Sequence, residues 1–108
     1  MIEQLDGKVA VITGAGSGIG RALAVRCGEE GMHVVAADVE QGALDETVEL
    51  VGGDAIGVRC DVSDGASVDA LADAAYAAFG SVHLLCNNAG VFQAGLLWER
   101  TIADWEWV

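Results

Sequence analysis

The chain has 108 residues, the size of one small domain, and 53% of them are hydrophobic, which excludes intrinsic disorder. Its 17 acidic residues against 5 basic ones give a formal net charge of −12, which argues against binding to nucleic acid or anionic membranes. No apolar run reaches the roughly 18 residues of a membrane span, and the opening residues lack the basic start of a signal peptide. We therefore expect a cytoplasmic domain that binds neither nucleic acid nor a membrane.

The predicted elements begin with a β-branched apolar run over residues 8–13, which is typical of a buried parallel strand. A glycine-rich turn follows over residues 13–20, and a helical pattern then runs to about Glu30 and ends at Gly31. Such a turn can hold an anion, because free backbone N–H groups and the helix dipole point towards it. Its glycines allow a pyrophosphate to approach without a Cβ in the way.

Three further strands and three further helices alternate along the rest of the chain. The strands are predicted over residues 32–37, 55–59 and 82–86, and the helices over residues 41–51, 64–79 and 101–108. Ser63 is the predicted N-cap of the second of these helices, and Thr101 with Asp104 resembles a capping box for the third. The helix over 64–79 is expected to bury one face, formed by Val68, Leu71, Ala72, Ala75 and Phe79. This alternation predicts an α/β fold with a doubly wound parallel sheet, incomplete at the fourth strand.

Four polar or glycine-rich sites fall at the carboxyl ends of the predicted strands. They are the glycine turn, Asp38, Asp61 and the segment over residues 87–90. In a doubly wound sheet the carboxyl ends form one rim, and nucleotides bind in the crevice beyond it. The three cysteines, Cys27, Cys60 and Cys86, lie in different elements, and we expect buried free thiols with no metal. His33 and His83 start predicted strands and are expected to be structural.

The residue order of three motifs carries a family resemblance over the whole chain. The turn does not have the G-x-G-x-x-G spacing; it reads T-G-x-x-x-G-I-G, while residues 61–62 read D-V and residues 87–90 read N-N-A-G. In this register the chain resembles the short-chain dehydrogenase/reductase family. The resemblance implies a Rossmann-like domain that binds NAD, in an enzyme that interconverts an alcohol and a ketone. The implied cofactor-binding residues are Gly14, Gly16, Ser17, Gly18, Ile19, Gly20, Asp38, Val39, Asp61, Val62, Asn88, Ala89 and Gly90.

Asp38 favours NAD over NADP. It ends the second strand 18 residues after Gly20, where an acidic residue accepts hydrogen bonds from the adenosine ribose in dinucleotide-binding folds. A carboxylate there repels a ribose 2′-phosphate; the next two residues, Val39 and Glu40, supply no base, and Ser17 is uncharged where phosphate-selective relatives often carry one. The alternative is that Asp38 only forms the turn that follows.

The other two motifs have implied roles of the same kind. The resemblance has Asp61 hydrogen-bond the adenine amino group while Val62 packs against the ring; the alternative is local capping ahead of Ser63. An asparagine in the N-N-A-G segment can bridge backbone groups of neighbouring strands, and the small residues after it leave room for ribose and nicotinamide. The tryptophans at 98, 105 and 107 are predicted to be packing residues rather than ligand contacts.

No catalytic residue can be placed in these 108 residues. Hydride transfer to a carbonyl needs a proton donor, which the family supplies with a serine, a Tyr-x-x-x-Lys pair and an asparagine. Here Tyr76 is followed four residues later by Gly80, and the one lysine is Lys8. The chain is therefore expected to be the inactive N-terminal part of a longer enzyme acting on a small alcohol or ketone. Relatives commonly form dimers and tetramers, so a homo-oligomer is implied. The alternatives are a non-catalytic NAD-binding module and an inactive remnant.

Overall fold

Four parallel strands form one sheet in the computed structural model, which describes residues 4–92 and 94–107. The strands are β1 (Val9–Thr13), β2 (His33–Asp38), β3 (Ile56–Arg59) and β4 (Leu84–Cys86), and their order in the sheet is β3-β2-β1-β4. The helices are α1 (Gly18–Glu29), α2 (Gln41–Val51), α3 (Gly65–Phe79) and α4 (Ile102–Trp107), with a 3₁₀ turn over Leu97–Glu99. The predicted α/β fold and its four parallel strands are confirmed.

Strand β1 is buried along its whole length because it lies between two other strands and under helices on both faces. Val11 pairs with Val35 of β2 on one side and with Leu85 of β4 on the other. Every residue of β1 is buried, which matches the continuous apolar run in the sequence. The order of the strands reverses beside β1, and a crevice opens at that point in doubly wound sheets.

Two hydrophobic clusters occupy the two faces of the sheet. On the face covered by α1 and α2, Ile12 and Val34 pack with Ala24 and Leu44. The cluster on the opposite face contains Val11, Val35 and Ala37, which alternate with the strand residues of the first cluster. Cys60, directly after β3, and the two buried residues of α3, Leu71 and Ala75, complete it. Helices therefore cover both faces of the sheet, and the carboxyl ends of the strands form its rim.

The start and the buried face of α3 differ from the prediction. Asp64, not Ser63, is the N-cap, and its carboxylate accepts a hydrogen bond from the Ala66 N–H. The Ser63 hydroxyl donates to Asp61 instead. Along the helix, Leu71 and Ala75 are buried as predicted and Phe79 is half-buried. Val68 is 40% exposed and Ala72 is exposed, so the buried face of α3 is narrower than the periodicity indicated.

The final helix has the predicted capping box but little burial. The Thr101 N–H donates to Asp104 Oδ2 at 2.8 Å, and the Asp104 N–H donates to Thr101 Oγ1 at 3.1 Å. No residue of α4 that the structure describes is buried, and Trp98, Trp105 and Trp107 are all largely exposed, so the prediction that the tryptophans pack is wrong for the described chain. The predicted end of this helix, Val108, lies outside the described residues.

The three cysteines are free thiols, and both histidines contact other parts of the fold. Cys27 and Cys60 are buried free thiols, and Cys86 is a half-buried one. Burial raises the pKa of the Cys27 thiol, and Cys86 adds to the effect. His83 Nδ1 accepts a hydrogen bond from the Val9 N–H at 3.0 Å, and His33 stacks on Phe79. Among the described helices, none has the length and apolar character that crossing a membrane requires.

Candidate cofactor site

A groove of about 980 Å³ opens at the carboxyl ends of the strands. Its walls are the glycine turn after β1, the segments that follow β2, β3 and β4, and the end of α4. The volume is at the upper end of the roughly 300–1,000 Å³ that is typical of small-molecule sites. Of the predicted site residues, all line the groove except Gly16 and Gly20.

The glycine turn is packed too tightly for side chains at several positions. Gly14 has a φ of 65°, and a Cβ on it would lie 2.9 Å from the Ala89 Cα. A Cβ on Gly20 would collide with the Gly14 carbonyl oxygen, so Gly20 lets α1 pack against the turn. These two glycines bring the turn close to the segment after β4. Gly20 therefore has a packing role in the structure rather than a position in the groove wall.

The end of the turn leaves the first amides of α1 without helical partners. Ser17 is the N-cap of α1 and makes no side-chain cap hydrogen bond. The N–H groups in the first turn of an α-helix have no carbonyl partner within the helix, and they carry the positive end of its dipole. Gly18 has open space where a Cβ would stand, and Ile19 is 72% exposed. This end of α1 fits an anionic group such as a pyrophosphate.

Asp38 is held in place by two backbone amides. Its Oδ2 accepts from the Gly16 N–H at 2.8 Å, and its Oδ1 accepts from the Glu40 N–H at 3.0 Å. A Cβ on Gly16 would lie 2.8 Å from Asp38 Oδ2, so this contact requires glycine. An ionised carboxylate has about four acceptor positions, and the two amides use two of them. Asp38 therefore forms the turn and also keeps capacity to accept hydrogen bonds from a ligand.

Arg59 is a groove residue that the sequence interpretation missed. It pairs in register with Asp38 at the end of β3, and it is one of the residues that line the groove. The sequence offered no base at the two positions after Asp38 or at Ser17. Strand register brings Arg59 beside Asp38 although 21 residues separate them in sequence. Only the pairing of β2 with β3, which no local pattern specifies, could have revealed it.

Asp61 makes the local contacts that the alternative interpretation predicted. Its Oδ1 accepts from the Ser63 hydroxyl at 2.6 Å and from the Ser63 N–H at 3.0 Å. These two hydrogen bonds, with a smaller contribution from the Arg59 charge, lower the pKa of the Asp61 carboxyl, which is fully exposed. Val62 is also exposed and lines the groove. A role of Asp61 towards a ligand stays a prediction.

A hydrogen-bond network centred on Thr13 joins the ends of β1 and β4. The Thr13 hydroxyl accepts from the Asn88 N–H at 3.1 Å and from the Ala89 N–H at 3.0 Å, and donates to the Cys86 carbonyl at 3.3 Å. The Asn88 side chain donates to the carbonyls of Thr13 and Gly14 at 3.2 and 3.3 Å. Asn88 is therefore the asparagine that bridges neighbouring strand ends. The sequence motifs predicted no role for the Thr13 hydroxyl.

The residues considered for catalysis lie elsewhere. Tyr76 is 55% exposed on α3, and neither it nor Lys8 lines the groove. Glu106 and Trp107 do line it, which the sequence interpretation did not predict. Among the described residues, no group of three or more His, Cys, Asp or Glu side chains could hold a metal ion.

Comparison with known proteins gives consistent matches. The family model for short chain dehydrogenase matches residues 8–108. D-threitol dehydrogenase of Mycolicibacterium smegmatis is 42% identical over 106 residues, which cover 95% of this chain and 41% of that protein. The 3beta-hydroxysteroid dehydrogenase 1 of Eggerthella lenta is 43% identical over 110 residues, covering 98% of this chain and 42% of that protein.

The solved structures agree with the sequence relatives. A short chain dehydrogenase/reductase from Burkholderia phymatum, crystallised in complex with NAD, has 59% sequence identity and a TM-score of 0.95. That match covers 99% of this chain and 39% of the other. The chain thus spans about two fifths of the length of the proteins it matches. On the family model, the sequence relatives and the structural match together, the chain belongs to the short-chain dehydrogenase/reductase family.

Proposed function

We propose that the groove binds NAD and that the complete protein is an NAD-dependent oxidoreductase that interconverts an alcohol and a ketone. The observation that carries the proposal is the meeting of three motifs, distant in sequence, around one groove at the carboxyl edge of the sheet. The Burkholderia phymatum relative, 59% identical over nearly the whole chain, was crystallised with NAD, which supports the choice of cofactor.

Each part of the groove has a proposed role in holding the cofactor. The open amides at the start of α1 bind the pyrophosphate, with Gly14, Ser17, Gly18 and Ile19 forming that wall. Asp38 and Val39 hold the adenosine ribose, while Asp61 and Val62 face the adenine. Asn88, Ala89 and Gly90 border the second ribose and the nicotinamide. NAD, when bound, supplies the hydride acceptor; the residues of this chain supply position and charge.

The charge around Asp38 favours NAD over NADP. The carboxylate is oriented by Gly16 and Glu40, so it cannot turn away from a 2′-phosphate without breaking both hydrogen bonds. Asp38, Glu40, Asp61 and Glu106 line the groove against the single guanidinium of Arg59 among the described lining residues. An added phosphate dianion is therefore repelled more than Arg59 can offset.

We place the proton donor of the reaction outside these 108 residues. The one tyrosine is on α3, away from the groove, and has Gly80 rather than lysine four residues later. The 108 residues alone are expected to bind the cofactor without turning over a substrate. Relatives named for D-threitol, a 3beta-hydroxysteroid and meso-2,3-butanediol support an alcohol as the substrate class.

The test is a titration of the purified protein with NADH and with NADPH, followed by nicotinamide fluorescence. We expect NADH to bind at least tenfold more tightly. In Asp38→Asn, a lost charge-assisted hydrogen bond worth about 1.5–3 kcal/mol weakens NADH roughly tenfold or more, and NADPH gains affinity. The control Asp69→Asn changes an exposed residue of α3 and removes the same charge away from the groove, so it should alter the affinity for neither cofactor. Equal affinities for the two cofactors, or no binding, would contradict the proposal.

A further inference from the structure

A buried hydroxyl on α2 contacts the glycine turn from behind. Thr47 is 0% exposed, and its hydroxyl donates to the Ala15 carbonyl at 2.7 Å. The Ala43 carbonyl lies 3.2 Å from the same hydroxyl. Because a hydroxyl has one proton, the shorter contact with Ala15 is the stronger hydrogen bond. A threonine in the middle of α2 thus donates to a carbonyl of the glycine turn rather than to the Ala43 carbonyl of its own helix.

Arg21 on α1 completes a relay through that hydroxyl. Its Nε donates to Thr47 Oγ1 at 2.9 Å, and its Nη2 donates to the Ala43 carbonyl at 2.9 Å. Nη2 also lies 3.2 Å from the exposed carboxylate of Glu46. The order of donors is therefore Arg21 Nε, then Thr47 Oγ1, then the Ala15 carbonyl.

The relay acts on a residue that is held from the other side as well. The Ala15 N–H donates to the Ala37 carbonyl of β2 at 3.0 Å, and Ala15 is fully buried. The peptide groups on either side of Ala15 are thus fixed by β2 and by α2. The next residues, from Gly16 onwards, lead directly into the amides that face the groove. Their direction depends on how Ala15 is held.

We infer that Thr47 and Arg21 are positioning residues that set the glycine turn for a pyrophosphate. Neither lines the groove, so they act through Ala15 and not by touching the ligand. The inference rests on the proposed function. The inference extends that function, because the packing of α2 against α1 then determines the affinity for the diphosphate part of the cofactor. The adenosine part is held by the segments after β2 and β3, which the relay reaches only indirectly, through the Gly16 N–H that donates to Asp38.

The experiment compares ligands that contain or lack the pyrophosphate. NADH is titrated into the purified protein and followed by its fluorescence. ADP-ribose and adenosine, which lack the nicotinamide, are measured by competition against NADH. Thr47→Val keeps the shape of the side chain but removes its hydroxyl. We expect NADH and ADP-ribose to lose about 3- to 10-fold in affinity, the scale of one hydrogen bond. Adenosine has no pyrophosphate and meets the relay only through the Gly16 N–H that orients Asp38, so its loss should be clearly smaller, about twofold at most. Thr47→Ser restores the hydroxyl and should restore the affinity.

Two further variants keep the test decisive. Glu46→Gln removes the exposed ion pair of Arg21 but leaves the relay intact, so it should bind all three ligands like the wild type. Arg21→Met removes the first donor and should reproduce the selective loss, which covers the case in which Thr47→Val does not fold. Unchanged ADP-ribose affinity in a folded Thr47→Val or Arg21→Met, whatever its melting temperature, overturns the inference, as does an equal loss for adenosine. A wild type that binds none of the ligands overturns the proposed function and the ligand role of Thr47 together.

Discussion

Thr13→Val tests whether the hydroxyl at the end of β1 holds the rim of the sheet together. The substitution replaces a hydroxyl by a methyl group and leaves the volume of the side chain almost unchanged. In the structure, Thr13 is buried, and its hydroxyl accepts from two amides, those of Asn88 and Ala89. It also donates to the Cys86 carbonyl. Valine can do none of this.

The expected cost follows from the groups left without partners. A buried donor that loses its acceptor costs about 1–3 kcal/mol. The Ala89 N–H loses its acceptor, while the Asn88 N–H keeps the Cys86 carbonyl at 2.9 Å. The expected loss of unfolding free energy is the middle of that range, about 2 kcal/mol. Thr13→Ser keeps the hydroxyl and loses one buried methyl group, which costs about 0.8 kcal/mol. If hydrogen bonding dominates, Thr13→Val is the less stable variant; if packing dominates, Thr13→Ser is.

The assay is urea unfolding of the wild type and both variants, with the free energy of unfolding taken from linear extrapolation. We expect Thr13→Val to be the less stable variant by about 1 kcal/mol. If Thr13→Val is as stable as the wild type while Thr13→Ser is weakened, Thr13 acts only by filling space. The hydrogen-bond account of the rim would then be refuted.

Two other predictions concern groups away from the groove. His83→Ala removes the acceptor of the Val9 N–H and should lower the free energy of unfolding in urea by about 1–3 kcal/mol. His83→Asn has a side-chain carbonyl and should recover part of that stability. If both variants lose the same free energy of unfolding, the hydrogen bond does not stabilise the fold. Burial keeps the pKa of the Cys27 thiol above its ordinary value of 9.0. As the pH rises, this thiol therefore ionises in the unfolded chain before it ionises in the folded one. Stability should therefore fall as the pH rises above about 9, and less so in Cys27→Ala; an identical pH dependence in the two proteins would contradict this.

The fold was predictable because its main signals are local. A strand buried on both faces must be apolar at consecutive positions, and β1 and β2 are. The N-cap of α3 was not predictable in the same way, because Ser63 and Asp64 are neighbouring residues that can both cap. Which of them caps depends on Asp61, whose carboxylate takes the Ser63 hydroxyl. The buried face of α3 was overestimated because alanines on a helix fit a core and a surface equally well.

The site was predictable where its residues stand in motifs and not where tertiary contacts create it. The turn, Asp38 and residues 87–90 follow strand ends, so their convergence follows from the parallel sheet. Arg59 joins the groove through the register of β3 with β2, and Thr47 reaches Ala15 across 32 positions. Periodicity places Thr47 on the buried face of α2, but no local pattern names the carbonyl that its hydroxyl meets.

The two interpretations of Asp38 are compatible, and the reason is the capacity of a carboxylate. Both the turn and a ribose draw on the lone pairs of this one carboxylate. Yet the two amides that bind Asp38 come from Gly16 and Glu40, one for each carboxylate oxygen, and each oxygen keeps a second lone pair. The turn contacts fix the direction of those remaining lone pairs before any ligand arrives. Because the side chain of Asp38 is already ordered, binding does not have to supply the free energy of ordering it. The local role of Asp38 therefore strengthens the ligand role proposed for it.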